Sequence, residues 1–424
     1  MPVNKQTIQR IADEPYRIFF PVALLAGALG VMLWPLFYAS QITWIPNILQ
    51  LKFYPNFAHA HLMIEGFVAG FAIGFVGTAL PKMLSAPALR RWQLGLLLGL
   101  HLSLCAAHLL GYTRTGDALF ALMMMCMLTF LGLRVKNGKS VPPPGMLLAG
   151  IGLVSGTLGA AWMSIVGFSG DAQWYLFFQR LLYQAFILLP LLGIGGFIFP
   201  MILGTTNHHA QLGGPKASRA WKNKAIEGGI LGVLLILSYW IEAHSGSADQ
   251  IKHMAWLRVA LCFVWITKES GWLKRKTAKG VMAFSLRAGI VCLLGGMITT
   301  GIWQNHKIAL DHSLYIGGFG LITMIVATRV IYGHSGQGKK FQLWVKPLCW
   351  CTGLLLFTML TRVTADFMPE IMISHHAYAA LLWVVVSIIW GIALLPSVRK
   401  YPFTPPTPPK PKSRPSVMDM NFRK

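Results

Sequence analysis

The sequence has little charge and very few acidic residues. Only 12% of its 424 residues are charged, and Asp and Glu together number 13, whereas soluble globular domains carry about a quarter charged residues. Hydrophobic residues make up 55% of the chain, and the mean hydropathy is +0.56. This composition excludes a soluble multidomain protein and predicts a single integral membrane domain.

The sequence also lacks paired cysteines and an apolar N-terminal leader with a cleavage site. The cysteines show no pairing pattern in a loop, so no disulfide framework is expected. Residues 1–17 are polar, so we expect no cleavable signal peptide, and the first apolar run should act as the insertion signal. The cysteines all fall in or beside apolar runs: Cys105, Cys126, Cys262, Cys292, Cys349 and Cys351.

Apolar runs long enough to cross a bilayer as helices occur along most of the chain. They predict an all-α, polytopic transmembrane bundle of about twelve spans, and the eighth span is the weakest because it is short and contains Arg258. We divide the chain into a cytoplasmic segment (1–17), a transmembrane domain (18–396) and a disordered, basic, proline-rich cytoplasmic tail (397–424). The spans lie near 18–39, 57–80, 93–112, 117–133, 145–167, 175–203, 225–243, 253–267, 282–303, 312–332, 343–365 and 373–395.

The formal net charge of +24 is also typical of nucleic-acid-binding proteins, but its distribution indicates a membrane protein. Basic residues concentrate in alternate connectors and in both termini, as the positive-inside rule requires for a protein with both termini in the cytoplasm. We therefore expect the lipid bilayer, and no nucleic acid, as a partner. Only four basic residues fall in the opposite connectors: Lys52, Arg114, Lys252 and Lys307.

Most histidines fall at the predicted extracytoplasmic ends of the spans. A single histidine there is usually an interfacial polar residue. A group of imidazoles instead favours a metal or haem site, because neutral imidazole is a common ligand of iron, copper and zinc. Nine of the thirteen histidines share this side: His59, His61, His108, His244, His253, His306, His312, His375 and His376.

The densest motif is PNFAHAHLMIEGF, at the start of the second span. In a regular helix His59 and His61 point about 200° apart, so they cannot bind one metal from the same face. His61 and Glu65 are only about 40° apart and can meet. Glu65 could support a ligating His61, relay protons or form a plain helix–helix hydrogen bond.

Two further sets are candidate metal ligands. His101, Cys105 and His108 lie along one face of the third span, and imidazole with thiol suits copper, although a buried cysteine is often only an apolar filler. Neighbouring His375 and His376 open the last span and could supply one inward ligand.

Several segments resemble, in order, the recurring segments of the NnrS family. They are YRIFFPVALLAGALGVMLWPLF, the HAHLM block running into GFVGTALPKM, GIGGFIFPMI at 193–202, and LDHSLYIGGFGLITMIVATRVIYGHSGQ at 310–337. Two departures occur, since Leu62 follows the second histidine where the family usually has an acidic residue, and Phe197 stands in place of an arginine after Gly195 and Gly196.

The resemblance implies a twelve-span bacterial inner-membrane protein that contains haem, here expected to be haem b, and copper. It further implies a role in nitric oxide metabolism and denitrification, with protection from nitrosative stress and with nitric oxide or iron-nitrosyl species as the small-molecule target. The residues implied as functional, because they match the family's motifs by position, are His59, His61, His312, Arg329 and His334. Together with the helix geometry, the resemblance leads us to expect His61 and His312 as the axial pair of the haem.

Three classes of function stay open at this stage. The first is a haem-binding protein that handles nitric oxide, and the second is a transporter of a small solute or of a metal or haem species. The third is a redox enzyme resembling haem-copper oxidases. The sequence decides neither enzymatic activity nor oligomeric state.

Overall fold

The computed structural model describes residues 13–41 and 50–400, and within these ranges it is helical without any strand. The expected all-α polytopic bundle is therefore confirmed. Most of the expected N-terminal segment (1–17) and most of the expected proline-rich tail (397–424) lie outside the described residues. The long helices are α1 (Tyr16–Gln41), α2 (Asn56–Met83), α3 (Arg91–Leu109), α4 (Thr113–Asn137), α5 (Met146–Ile165), α6 (Ala172–Leu203), α7 (Arg219–His244), α8 (Ala248–Ser270), α9 (Val281–Ile302), α10 (Gln304–His334), α11 (Lys346–Phe367) and α12 (Pro369–Val398).

Eleven of these helices, among the described residues, are long and apolar enough to cross a membrane. The exception is α8, the span that the sequence supports least, although it forms a helix of 23 residues. It packs between α7, α9 and the second half of α6. Its Arg258 is buried against Glu242 of α7, which explains how a charged residue is accommodated there.

Three of the helices contain π-helical segments. These segments are Leu62–Val68 in α2, Leu181–Ala185 in α6 and Ser313–Gly320 in α10. A π segment inserts a residue into the α-helical repeat and often occurs at functional sites. Each segment lies near the start of its helix, so it changes the direction of side chains at one end of the bundle.

Glycine allows α5 and α6 to pack closely. A Cβ atom on Gly156 would lie 2.4 Å from the ring of Phe186, and one on Gly152 would lie 2.3 Å from Pro190. Small residues four apart let transmembrane backbones approach in this way. The glycines in these segments thus support helix packing.

Contacts at the helix ends agree with an alternating up-and-down topology. Glu14, just before α1, pairs with Lys82 near the end of α2 and with His334 at the end of α10. Burial opposes ionisation of this carboxyl, but the hydrogen bonds from His334 and Lys82 outweigh it and lower the pKa of Glu14 to about 2. At the opposite end Tyr38 of α1 meets His376 of α12. Which end faces the cytoplasm stays a prediction from the charge bias.

Candidate functional site

Four side chains from three helices form a buried group that we call the carboxylate–histidine cluster: His61, Glu65, His108 and Asp117. His61 Nδ1 lies 2.7 Å from Asp117 Oδ1 and 3.3 Å from Glu65 Oε1. His108 Nε2 lies 2.8 Å from Glu65 Oε2 and 4.0 Å from Asp117 Oδ1. All four residues are at most 2% exposed. One donor atom from each lies within 4.8 Å of the others.

Local structure explains how these residues meet. His61 and Glu65 are four residues apart at the start of α2, so their side chains lie on one face, and Glu65 falls within the π segment. His108 lies in the last turn of α3, and Asp117 lies near the start of α4, after a short connection. Gly116 makes the approach of His108 feasible, because a Cβ atom there would lie 2.2 Å from the His108 ring.

The charge of the cluster needs a counterion. Two carboxylates are buried in an apolar bundle, and within residues 13–41 and 50–400 the ion pairs of Glu65 and Asp117 involve only histidines. Buried charges are paired or coordinate metals. The charge is therefore balanced either by protons on the side chains of the cluster or by a bound cation.

A second group, the three-histidine group, consists of His59, His312 and His376. His312 interacts electrostatically with Arg362 of α11 and with both other histidines. Trp34 of α1 lies between two of them, with ring centroids 6.2 Å from His59 and 5.7 Å from His376. This group therefore brings together α2, α10, α11 and α12 around the end of α1.

Each imidazole of this group uses its Nδ1 atom in a hydrogen bond. His59 Nδ1 donates to the carbonyl of Gly30 at 3.1 Å, and His312 Nδ1 donates to the carbonyl of Ile308 at 2.7 Å. A carbonyl only accepts, so Nδ1 carries the proton in both and Nε2 keeps a free lone pair. His376 Nδ1 lies 2.8 Å from the Tyr38 hydroxyl, and its Nε2 atom is buried without a hydrogen-bond partner in the described residues.

A third polar group links α6, α7, α8 and α10 through ion pairs. Arg180 of α6 lies 3.6 Å from Glu242 of α7 and 3.9 Å from Asp311 of α10. Arg258 of α8 also contacts Glu242, and Lys307 lies 3.5 Å from Asp311. Three cations face two carboxylates, which leaves one positive charge in excess in this ion-pair network.

The other predicted site residues lie apart from these groups. His101 is fully buried against Phe19, and neither of its ring nitrogens has a hydrogen-bond partner in the described residues. His375 lines a groove between α11 and α12. Arg329 lies near the far end of α10, with its guanidinium 3.9 Å from the centre of the Phe341 ring. It is therefore not near His312.

The divergence expected for His59 and His61 is observed. His59 faces α1, whereas His61 faces α3, α4 and Tyr183 of α6, whose ring centroid lies 5.4 Å away. Sequence reasoning missed Asp117 in this arrangement. The available signal was an acidic residue opening an apolar span in a chain with few acids, next to a glycine (Gly116).

Fold and site define a polytopic α-helical membrane protein whose core holds a buried cluster of histidines and carboxylates. No curated protein matches the sequence significantly. The model of the NnrS protein family matches residues 10–400. The chain therefore belongs to the NnrS family, and this membership supports a membrane role linked to nitric oxide.

Proposed function

We propose that this protein binds haem b in the bacterial inner membrane and acts on nitric oxide, protecting the cell from nitrosative stress during denitrification. The observation that carries the proposal is the three-histidine group, in which imidazoles on different helices have Nε2 atoms available beside a partly buried arginine, Arg362. Imidazole is the usual axial ligand of haem iron. Haem iron would supply the binding centre for nitric oxide.

The residues present fit this cofactor. His59 and His312 would be the residues that hold the haem, because in both the Nδ1 proton is held by a backbone carbonyl, which sets the ring orientation and the tautomer and leaves Nε2 available. His61 was the expected partner of His312, but its contacts are with the carboxylate–histidine cluster. His59, which shares the neighbourhood of His312, replaces it in this proposal.

Arg362 would bind a haem propionate. Its Nη1 atom is buried without a hydrogen bond in the described residues, and its ion-pair contact with Asp366 is long, at 3.9 Å. A guanidinium pairs carboxylates well through two parallel hydrogen bonds. Copper stays a prediction, for which His101 and Cys105, one turn apart on α3, would offer imidazole and thiol donors.

Haem content tests the proposal directly. His59→Ala, His312→Ala and His376→Ala are purified beside His209→Ala, which removes a buried histidine that pairs with Glu269 elsewhere in the bundle. We expect b-type absorption in wild-type protein and large losses of haem per chain for His59→Ala and His312→Ala. His209→Ala should keep its haem. Full haem in either of the first two variants would disprove the assignment.

Transport is a second candidate function, favoured by the ion-pair network. Buried charges between helices often mark a substrate path, and the excess positive charge suits an anion. Uptake of nitrite or nitrate into vesicles should then fall in Arg180→Gln. Equal uptake by wild-type vesicles and empty vesicles would reject this candidate.

A further inference from the structure

We propose that the carboxylate–histidine cluster binds one divalent first-row metal ion, iron(II) or zinc(II), at a centre separate from the haem. The proposal rests on His61, Glu65, His108 and Asp117, which converge from α2, α3 and α4. It does not depend on the assignment of the haem ligands, because none of these residues belongs to the three-histidine group.

The spacing of the donor atoms is that of a coordination shell. Ligands about 2.1 Å from a metal in tetrahedral geometry lie about 3.4 Å from one another. The four distances between imidazole nitrogens and carboxylate oxygens run from 2.7 Å to 4.0 Å. An ion at the centre of the cluster would therefore need only small movements of these side chains.

One close contact between two donor atoms is also expected where both bind a shared ion. Asp117 Oδ1 lies 2.7 Å from His61 Nδ1, yet this oxygen has no hydrogen bond of acceptable geometry. A buried acceptor without a hydrogen bond needs an explanation such as an ion. Two lone pairs directed at one metal would place these atoms side by side in this way.

Charge balance also favours a divalent cation. Two ionised carboxylates carry two negative charges, and burial of uncompensated charge in a low-dielectric interior is costly. A divalent ion with neutral imidazoles makes the cluster neutral as a whole. Protonation of both imidazoles would give the same net charge, but it would bring two cations together, with ring centroids 5.1 Å apart.

The donor set indicates the class of metal. Two imidazoles with a carboxylate form the arrangement common to non-haem iron(II) proteins, and carboxylates are poor ligands for copper(I), which prefers thiolate and thioether donors. Zinc(II) accepts the same donors. The cluster should therefore take iron(II) or zinc(II) when loaded with either ion, and exclude copper(I).

The proposed metal centre and the three-histidine group share one part of α2. His59 and His61 project from opposite sides of the start of α2, so the non-haem centre and the three-histidine group flank the same turn of helix. Tyr183, beside His61, has a buried hydroxyl without a hydrogen-bond partner in the described residues. A ligand on the ion could accept a hydrogen bond from this hydroxyl.

Metal content is the test. Detergent-purified wild-type protein, Glu65→Gln, Asp117→Asn and His108→Ala are stripped with a chelator, reloaded separately with iron(II), zinc(II) and copper(I), and assayed for metal and haem. We expect wild-type protein to bind about one iron or zinc ion per chain beyond its haem iron. The affinity of each variant for iron(II) and zinc(II) should fall more than about 10-fold. Mutation of a residue that only hydrogen-bonds to a metal ligand already lowers metal affinity about 10- to 100-fold.

Glu269→Gln is the matched control, because it alters a buried histidine–carboxylate pair at 3.0 Å in another part of the bundle. It should bind metal as wild-type protein does. The conservative Glu65→Gln and Asp117→Asn variants keep the side-chain shape, and monodisperse elution shows that they are folded. Wild-type protein that binds neither iron nor zinc, conservative variants that bind both as tightly as wild type, or a site that accepts copper(I) alone would each overturn the proposal.

Discussion

Gly116→Ala should displace His108 and weaken the cluster without removing any donor atom. The added Cβ would lie 2.2 Å from the His108 ring, and ordinary contact begins at 3.4 Å. The ring must therefore move by about 1.2 Å, whereas functional constellations need placement within about 0.5 Å. Overpacking of this kind costs about 1–3 kcal/mol of stability.

The same helix supplies a matched control. Gly132 also lies on α4, but a Cβ atom there would meet nothing within 4 Å. Gly132→Ala should be neutral or stabilising by up to about 1 kcal/mol, because alanine has the higher helix propensity. The assays are iron(II) affinity after reloading and the midpoint of thermal unfolding.

We expect Gly116→Ala to lower both quantities and Gly132→Ala to lower neither. The reasoning is refuted if Gly116→Ala binds iron(II) with wild-type affinity. It is also refuted if the two variants lose affinity equally, since the effect would then come from alanine in α4 and not from contact with His108.

Three further predictions concern other parts of the molecule. Glu65→Gln should keep its haem per chain, measured by absorption, because Glu65 contacts His61 and His108 of the cluster and none of the three-histidine group, and a large loss of haem would contradict the separation of the two sites. The pKa of Glu14 is lowered from 4.5 to about 2. Its ionised form therefore adds up to about 3 kcal/mol to the free energy of unfolding above pH 4.5, and this contribution is lost as the pH falls through about 2. Unfolding midpoints of wild type and Glu14→Gln should accordingly differ at neutral pH and converge in acid, and a constant difference would argue against the ion pair with His334. Reporter fusions after Lys424 and near Asp366 should report opposite compartments, whereas the same compartment for both would refute the topology.

Local features of the site followed from the sequence. Helix length follows from bilayer thickness, and the angular offset between residues follows from the helix repeat. The spans, the divergence of His59 from His61 and the meeting of His61 with Glu65 all depend only on these short-range rules. The weakness of the eighth span was visible for the same reason, since it reflects the composition of a single segment.

The grouping of residues from different helices required the tertiary structure. His101 and His108 share a face of α3, yet only His108 reaches the cluster, because the rotation and depth of α3 against α2 and α4 decide which turn meets Glu65. Asp117 joins the site through that same packing. Arg329 and His312 share one motif, but the length of α10 separates them. The sequence by itself determined which polar side chains each helix carries and on which face they lie. Packing between the helices decided which of these side chains come into contact, because that packing depends on residues far apart in the chain.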